Sequence, residues 1–395
     1  MSKFQVRSRL NSLERQVSIV LSIVYSLRLL GIFLLLPVFS LYASQLSGGD
    51  NRFWIGLAFG LYGLMQAACQ LPLGVLSDRF GRKKIIVAGL LVFALGSFLC
   101  AFADNIIFLS IARAIQGAGA VSAAVTALLA DLTRDEVRTR AMSLIGASIG
   151  LTFSGSLIIA PILDRFIGVS GVFILTGVGA LLGILLILFA IPNQENAFRQ
   201  PEKMNFSAAF ANLNLWRLNF GIFALHAAQM AMFVALPFVL QDLGFVKVDL
   251  WKIYFPVTLI GVILMIPAVI VGEVKHKLKA VLLLSIVLLG LAQIGLASSV
   301  TLIPIIIALC LYFIGLNIAE AVLPSAVSKI APPNLKGTAM GIYNTAMSLG
   351  LFSGSVIGGL LLQRFDSTSV FYFCSGLMLL WLVVSLFLPQ IIKKQ

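Results

Sequence analysis

The chain is written in long apolar runs with short polar punctuation. "WIGLAFGLYGLMQAACQLPLG" and "IIVAGLLVFALGSFLCAFA" flank the stretch "GVLSDRFGRKK", where Asp78, Arg79, Arg82, Lys83 and Lys84 crowd together. An apolar run of about 20 residues is long enough to cross ~30 Å of hydrocarbon as a helix. Backbone groups in lipid must be satisfied internally, so a spanning segment is a helix or part of a closed barrel. Barrel strands alternate apolar and polar over about ten residues. These runs are continuous and longer, so the pattern predicts an all-α membrane protein. Twelve transmembrane helices are expected, near residues 17–44, 53–76, 84–103, 106–131, 138–165, 169–192, 214–241, 250–273, 279–298, 301–329, 336–363 and 368–390. The longest polar segment begins "NQENAFRQPEKMNF" and is expected to be a cytoplasmic linker, 193–213. It divides the chain into two six-helix bundles, 1–192 and 214–395.

Short matches repeat between these halves at an offset of about 200. "FSGS" stands at 153–156 and 352–355, and "RF" at 165–166 and 364–365. "AM" recurs at 141–142 and 339–340, and "LP" at 36–37 and 236–237. Repeated bundles with a substrate site at their interface, near the bilayer midplane, are a transporter architecture.

Composition agrees with the pattern. Apolar residues make up 60% of the 395 positions and charged residues 11%, with a mean hydropathy of +1.05. Soluble domains carry about 25% charged residues. The net charge of +13 would elsewhere suggest nucleic acid. Here 21 of the 28 Lys and Arg residues fall in the terminal segments and the loops on the same side as the termini. That bias orients both termini to the cytoplasm and makes the lipid bilayer, not nucleic acid, the partner of the charge. Cys69, Cys100, Cys310 and Cys374 all lie in apolar runs with no CxxC pair, so they read as small buried hydrophobes. His226 and His276 stand 50 residues apart, and no metal site is expected. No Walker motif appears, so the energy source is expected to be a proton gradient rather than a bound cofactor.

Charges inside the spans carry the candidate chemistry. Each costs about 2.5–3.5 kcal/mol to insert, which makes an intramembrane ionisable group a functional candidate. Arg28 lies in span 1, Arg113 in span 4, His226 in span 7 and Glu320 in span 10; Glu320 is the carboxylate deepest in any span. These four are the candidates for proton coupling, with Glu320 first. Burial raises a carboxyl pKa and a nearby cation lowers it, so its protonation can answer to conformation and to a competing cationic substrate. A structural Glu320–Arg28 salt bridge is the alternative. Asn317 precedes Glu320 by one helical turn. Tyr62, Gln66 and Gln70 form one polar stripe on span 2. The expected substrate cavity is Arg28, Asn317, Glu320, Tyr62, Gln66 and His226. Gly350, Gly354 and Gly358 on span 11, and Gly146, Gly150 and Ser154 on span 5, form small-residue ridges expected to pack the two halves together. One Glu, one His and two Arg on four helices do not make a hydrolytic set, so an enzyme is not expected.

"GVLSDRFGRKK" resembles the loop signature between spans 2 and 3 of the major facilitator superfamily, G-x-x-x-D-R-x-G-R-K. Gly74, Asp78, Arg79, Gly81, Arg82 and Lys83 match it. "RAIQGAGA", 113–120, resembles the span-4 motif R-x-x-Q-G of its proton-coupled members. "SLRLLGIFLLLPV", "ALLADLTRDEVRTRAM" and "KGTAMGIY" resemble the YajR-like group of bacterial drug:proton antiporters. The resemblance implies a monomeric transporter of the bacterial inner membrane that exchanges small amphipathic or cationic compounds for protons by alternating access. Proton symport, or uniport of a polar or anionic solute, is the alternative. It further implies a cavity lined by spans 1, 4, 7 and 10. The loop then acts as a latch: Asp78 meets the start of span 11, near Lys336–Thr338, Arg82 pairs with Asp131, and both bias the outward-open state. Glu273, Lys275, Lys277 and Lys279 form a degraded copy in the second half. The span-5 antiporter motif G-x-x-x-G-P-x-x-G-G is departed from, with Ala160-Pro161 and Asp164-Arg165 in place of Gly-Pro and the final glycines.

Overall fold

The computed structural model describes residues 10–192, 212–275, 277–332 and 335–390, and these are almost entirely helical. Span 1 consists of α1 (Ser12–Phe33) and the short α2 (Phe39–Ala43). Spans 2 and 3 are α3 (Arg52–Phe80) and α4 (Arg82–Ala101); span 4 is α5 (Ile106–Ala118) followed by α6 (Ser122–Asp131). Spans 5 and 6 run together as α7 (Asp135–Ala190). In the second half, spans 7 to 12 are α8 (Leu213–Asp242), α9 (Trp251–Val274), α10 (Leu278–Ser298), α11 (Leu302–Ile330), α12 (Lys336–Arg364) and α13 (Ser367–Leu386). Eleven described helices are long and apolar enough to cross a membrane. One of them, α7, holds two passes, which gives twelve.

Polar caps set the helix starts. Asn11 and Glu14 form a capping box on α1, and the side chains of Asn51, Asn105, Asn212 and Asp366 accept the first free N–H groups of their helices. Two expectations of unbroken spans change, and one expected loop nearly vanishes. Pro37 lacks an N–H, and the chain between Leu34 and Val38 leaves the helix there. Span 4 breaks at Gly119, where a Cβ would stand 2.5 Å from the Gly89 carbonyl oxygen of span 3. Between spans 5 and 6 the loop shrinks to one kink at Gly168, whose φ of +67° favours glycine.

Spans 1–6 pack among themselves, as do spans 7–12. The expected linker lies outside the described residues except for Asn212 and Leu213. The two groups repeat the same stitches at the face carrying the termini. Lys83 donates to the Ile191 carbonyl at the end of span 6, and Lys279 donates to the Leu386 carbonyl at the end of span 12, both at 2.8 Å. Gln16 bonds Ala190 O at 3.0 Å, and Arg217 bonds Phe387 O at 2.8 Å. Each donor meets the unpaired, partly negative carbonyls of a helix C-terminus.

The glycine ridge of span 11 packs within its own half, not between halves. At Gly350, Gly354 and Gly358 a Cβ would meet Phe223, Ala227 and Ala231 of span 7, at 2.4, 2.0 and 2.7 Å. Gly146 and Gly150 of span 5 face open space. The halves meet along a seam absent from the sequence-based expectations: Gly56, Gly60 and Gly63 of span 2 lie on Ser355, Phe352 and Ser348 of span 11. A recurring glycine at one-turn spacing on span 2 was the available signal.

The seam is tight at one end only. Toward the face opposite the termini, the Arg52 N–H donates to Gln363 Oε1 (2.6 Å), the Arg52 guanidinium lies 4.0 Å over the Phe238 ring, and Ser40 donates to Phe233 O (3.3 Å). Toward the terminal face the contacts thin out: a Cβ at Gly341 of span 11 would still meet Leu71 of span 2 at 3.4 Å, but one at Gly74 would find only Ala123 of its own half, and one at Gly337 no described atom within 4 Å. The halves are thus closed at the opposite face and parted at the terminal, basic face.

Candidate functional site: a polar interior divided between two halves

The basic loop is held inside the first half. Gly81, with φ +98°, closes the turn from α3 to α4, a conformation costly for other residues. Arg82 then points back across it: its guanidinium pairs with Asp78, donates to Ser77 Oγ (2.7 Å) and reaches Asp131 Oδ2 (3.2 Å). Gly74 is buried with Ala123 of span 4 against it, Arg79 is exposed, and Lys83 makes the stitch described above. These pairs therefore exist while the basic face is parted, so they do not by themselves join the halves. The described partner of Asp78 is Arg82 rather than span 11; the Lys336 side chain lies outside the described residues. In the second half Glu273, at the end of span 8 as Asp78 is at the end of span 2, accepts from Ser325 (2.7 Å) and Lys329 (2.5 Å) of span 10, so its cation comes from the span-10 end rather than from the start of the next helix.

At mid-depth the first half holds two buried guanidiniums. Arg28 donates from Nη1 to Ser122 Oγ (2.7 Å) and from Nη2 to Gln66 Oε1 (2.6 Å). Gln66 passes the connection on, its Nε2 donating to Ser348 Oγ at 2.9 Å. One polar chain thus runs from span 4 through spans 1 and 2 to span 11, and it crosses between the halves. Arg113 is fully buried; its Nη1 donates to Gly31 O (3.0 Å) and to Gln116 Oε1, and Gln116 in turn donates to Ser97 Oγ (2.8 Å). Its guanidinium lies 4.6 Å from the Tyr62 ring centre, with Phe39 and Phe59 beside it. Tyr62 is therefore a buried wall for Arg113, not an open cavity surface. The glycines of "QGAGA" let this segment pass: a Cβ at Gly117 would stand 2.2 Å from Tyr62 O.

The second half holds the titratable pair. His226 Nε2 lies 3.3 Å from Glu320 Oε1, and its Nδ1 lies 3.2 Å from the Ile222 carbonyl oxygen. A carbonyl only accepts, so Nδ1 must carry a hydrogen. The contact between Nε2 and the carboxyl group then needs one more proton, on either partner. Glu320 is the open member, with 39% of its side chain exposed against 8% for His226. Asn317, one turn away, donates to Phe313 O (2.7 Å) within its own helix. Of the four coupling candidates, the structure brings His226 and Glu320 together, holds Arg28 in the cross-half chain and leaves Arg113 apart in its aromatic pocket. The Glu320–Arg28 bridge is not made. Ser122 and Ser348 were missed because a serine in an apolar run is unremarkable until its partner is known. Among the described residues, no group of three or more His, Cys, Asp or Glu side chains could hold a metal ion.

This arrangement of twelve passes, a parted interface and a midplane polar interior fits the sequence profile of the Major Facilitator Superfamily, which matches residues 21–352 and 268–394. The chain belongs to that superfamily. It is 41% identical over 377 residues to the inner membrane transport protein YajR of Escherichia coli strain K12, covering 94% of this chain and 83% of that one. Multidrug resistance protein MdtH of Aeromonas hydrophila is 26% identical over 340 residues, covering 84% of each. Among solved structures, the human organic anion transporter MFSD10 superposes with a TM-score of 0.70 at 21% identity, covering 94% of this chain and 99% of that one. A bacterial homolog of the human lysosomal transporter Spinster, inward-facing and unoccupied, gives 0.72 at 15% identity, covering 96% and 95%. The family and these relatives are transporters, and this superfamily member is a multi-pass membrane transporter.

Proposed function

We propose that the protein exchanges a small amphipathic or cationic compound for protons across a bacterial inner membrane, with the basic face and both termini in the cytoplasm. The observation that carries this reading is the His226–Glu320 contact. It holds one proton between two groups, and Glu320 is the part-exposed member of the pair. An arriving cation favours the carboxylate and so releases that proton; its departure lets a proton return. Arg28 and Arg113 act as fixed positive charges in the first half. With the basic face cytoplasmic, the parted interface is inward-open, and the structure stands at the loading end of an efflux cycle. The name and location of the YajR relative support the membrane, and the MdtH likeness supports the substrate class.

A second reading rests on Arg28. Its contacts are neutral, and an anionic solute would complete it as a charge-assisted pair. Proteoliposomes containing a pH-sensitive dye separate the two. Under antiport, tetraphenylphosphonium drives proton release through the wild type and not through Glu320→Gln, while benzoate does nothing. Under the second reading, benzoate moves with protons or alone, and Glu320→Gln leaves that movement unchanged.

A further inference from the structure

Among the described residues, the closed face carries one ion pair between the halves, and neither the basic loop nor the midplane groups account for it. Asp164 lies near the end of span 5, four residues before the Gly168 kink. Its side chain is only 2% exposed. Its partner is Lys247, in the one-turn 3-10 segment Lys247–Asp249 that joins spans 7 and 8, with Nζ 3.0 Å from Oδ1. Neither carboxylate oxygen receives a well-directed hydrogen bond from any described group, so the ammonium alone compensates the buried charge. Lys247 is the wetter partner, with 23% of its side chain exposed. Arg165 beside Asp164 points outward and is exposed, and Asp249 beside Lys247 is taken by Lys252 at 2.9 Å.

Opening this face must separate span 5 from the 7–8 turn, because each belongs to a different half. We propose that Asp164 and Lys247 form a releasable clasp between the halves at the face opposite the termini, and that making and breaking it sets the balance between the two ends of the transport cycle. They are positioning residues: they touch no transported compound and act through the closure of the far gate. The clasp is made in the state where the basic face is parted. It therefore opposes any contact that closes the basic face, including one that Asp78 would make with span 11. This inference does not depend on the substrate, the ion or the direction of transport.

The burial asymmetry dictates an asymmetric result. Removing the ammonium leaves a buried carboxylate without compensation, which penalises the closed far gate heavily. Removing the carboxylate leaves a partly wetted lysine, which is cheap. Removing both relieves the buried charge. The experiment is pulsed electron–electron spin distance measurement in lipid nanodiscs, with Cys69 and Cys310 replaced by serine. One spin-label pair goes at Phe102 and Val300, on the far face, and one at Phe80 and Val274, on the basic face; all four positions are exposed and the two of each pair lie in different halves. Lys247→Met is expected to lower the ratio of far-closed to far-open molecules by at least about tenfold. Asp164→Asn should lower it by less than about threefold. The double variant should recover most of the loss, and Lys247→Arg should stay near the wild type. An unchanged Phe102–Val300 distribution in Lys247→Met overturns the proposal, as does a double variant no closer to the wild type than Lys247→Met. If Lys247→Met does not accumulate in membranes, Lys247→Gln takes its place: a shift toward far-open molecules supports the clasp, and a wild-type Phe102–Val300 distribution overturns it.

Discussion

The two halves share one scaffold and divide the chemistry. At the helix ends the repeat is close: Lys83 and Lys279 cap spans 6 and 12 in the same way, as do Gln16 and Arg217. At mid-depth the halves diverge. The first buries two arginines among hydroxyls, amides and aromatic rings; the second offers a half-open glutamate to a histidine. The repeated seams differ too. Span 11 lies hard against span 7 through glycines, whereas the matching seam of spans 5 and 1 leaves an apolar groove of about 480 Å³ lined by Ile23, Leu27, Leu30, Leu144, Leu151 and Ile159. The half that holds the His226–Glu320 contact is also the more tightly packed at the span-7 seam.

The sharpest test of that division is the loss of proton movement. Glu320→Gln should abolish substrate-driven proton release to the level of empty liposomes, while the protein still folds and inserts, since the side chain is partly open. Arg113→Lys should leave coupling dependent on Glu320 but cost about 2 kcal/mol in thermal stability, because lysine forfeits the Gly31 bond and the ring stacking. Calorimetry of the purified protein reads this directly. The two seams give a paired test. Gly354→Ala drives a methyl to 2.0 Å from Ala227 O, and should destabilise by about 1–3 kcal/mol. Gly155→Ala meets nothing nearer than 4.0 Å and should lie within about 0.5 kcal/mol of the wild type. Equal effects would mean that the seams are equivalent after all. A modest cost is expected at the repeated stitches: Lys83→Met and Lys279→Met should each cost about 0.3–1 kcal/mol, and by the same amount.

The twelve passes were legible because lipid demands long apolar runs, and the depth of Arg28, Arg113, His226 and Glu320 followed from their position in those runs. The pairing of Arg82 with Asp131 was legible only through the family signature. What the sequence could not supply was which helix neighbours which. The ridge of Gly350, Gly354 and Gly358 announces close packing but not its partner, and the partner is span 7 of the same half. Likewise, Glu320 could have met Arg28 or His226; apolar periodicity has no term for that choice. Breaks at Pro37 and Gly119 were hidden because an interrupted helix and an unbroken one carry the same apolar pattern when the break itself is apolar. Asp164 stood out only as a departure from the span-5 motif, and nothing in the apolar pattern paired the end of span 5 with Lys247 in the 7–8 turn.

The central claim is that one proton is held between His226 and Glu320 and is given up to a cation. Nitrogen-15 magnetic resonance of the histidine rings tests it most directly. The chain has two histidines, so His276→Gln leaves His226 as the single reporter. The account predicts that Nδ1 stays protonated throughout, and that tetraphenylphosphonium shifts the Nε2 resonance in the wild type but not in Glu320→Gln. A ring protonated on Nε2 alone, or an Nε2 resonance indifferent to the cation in the wild type, would contradict it.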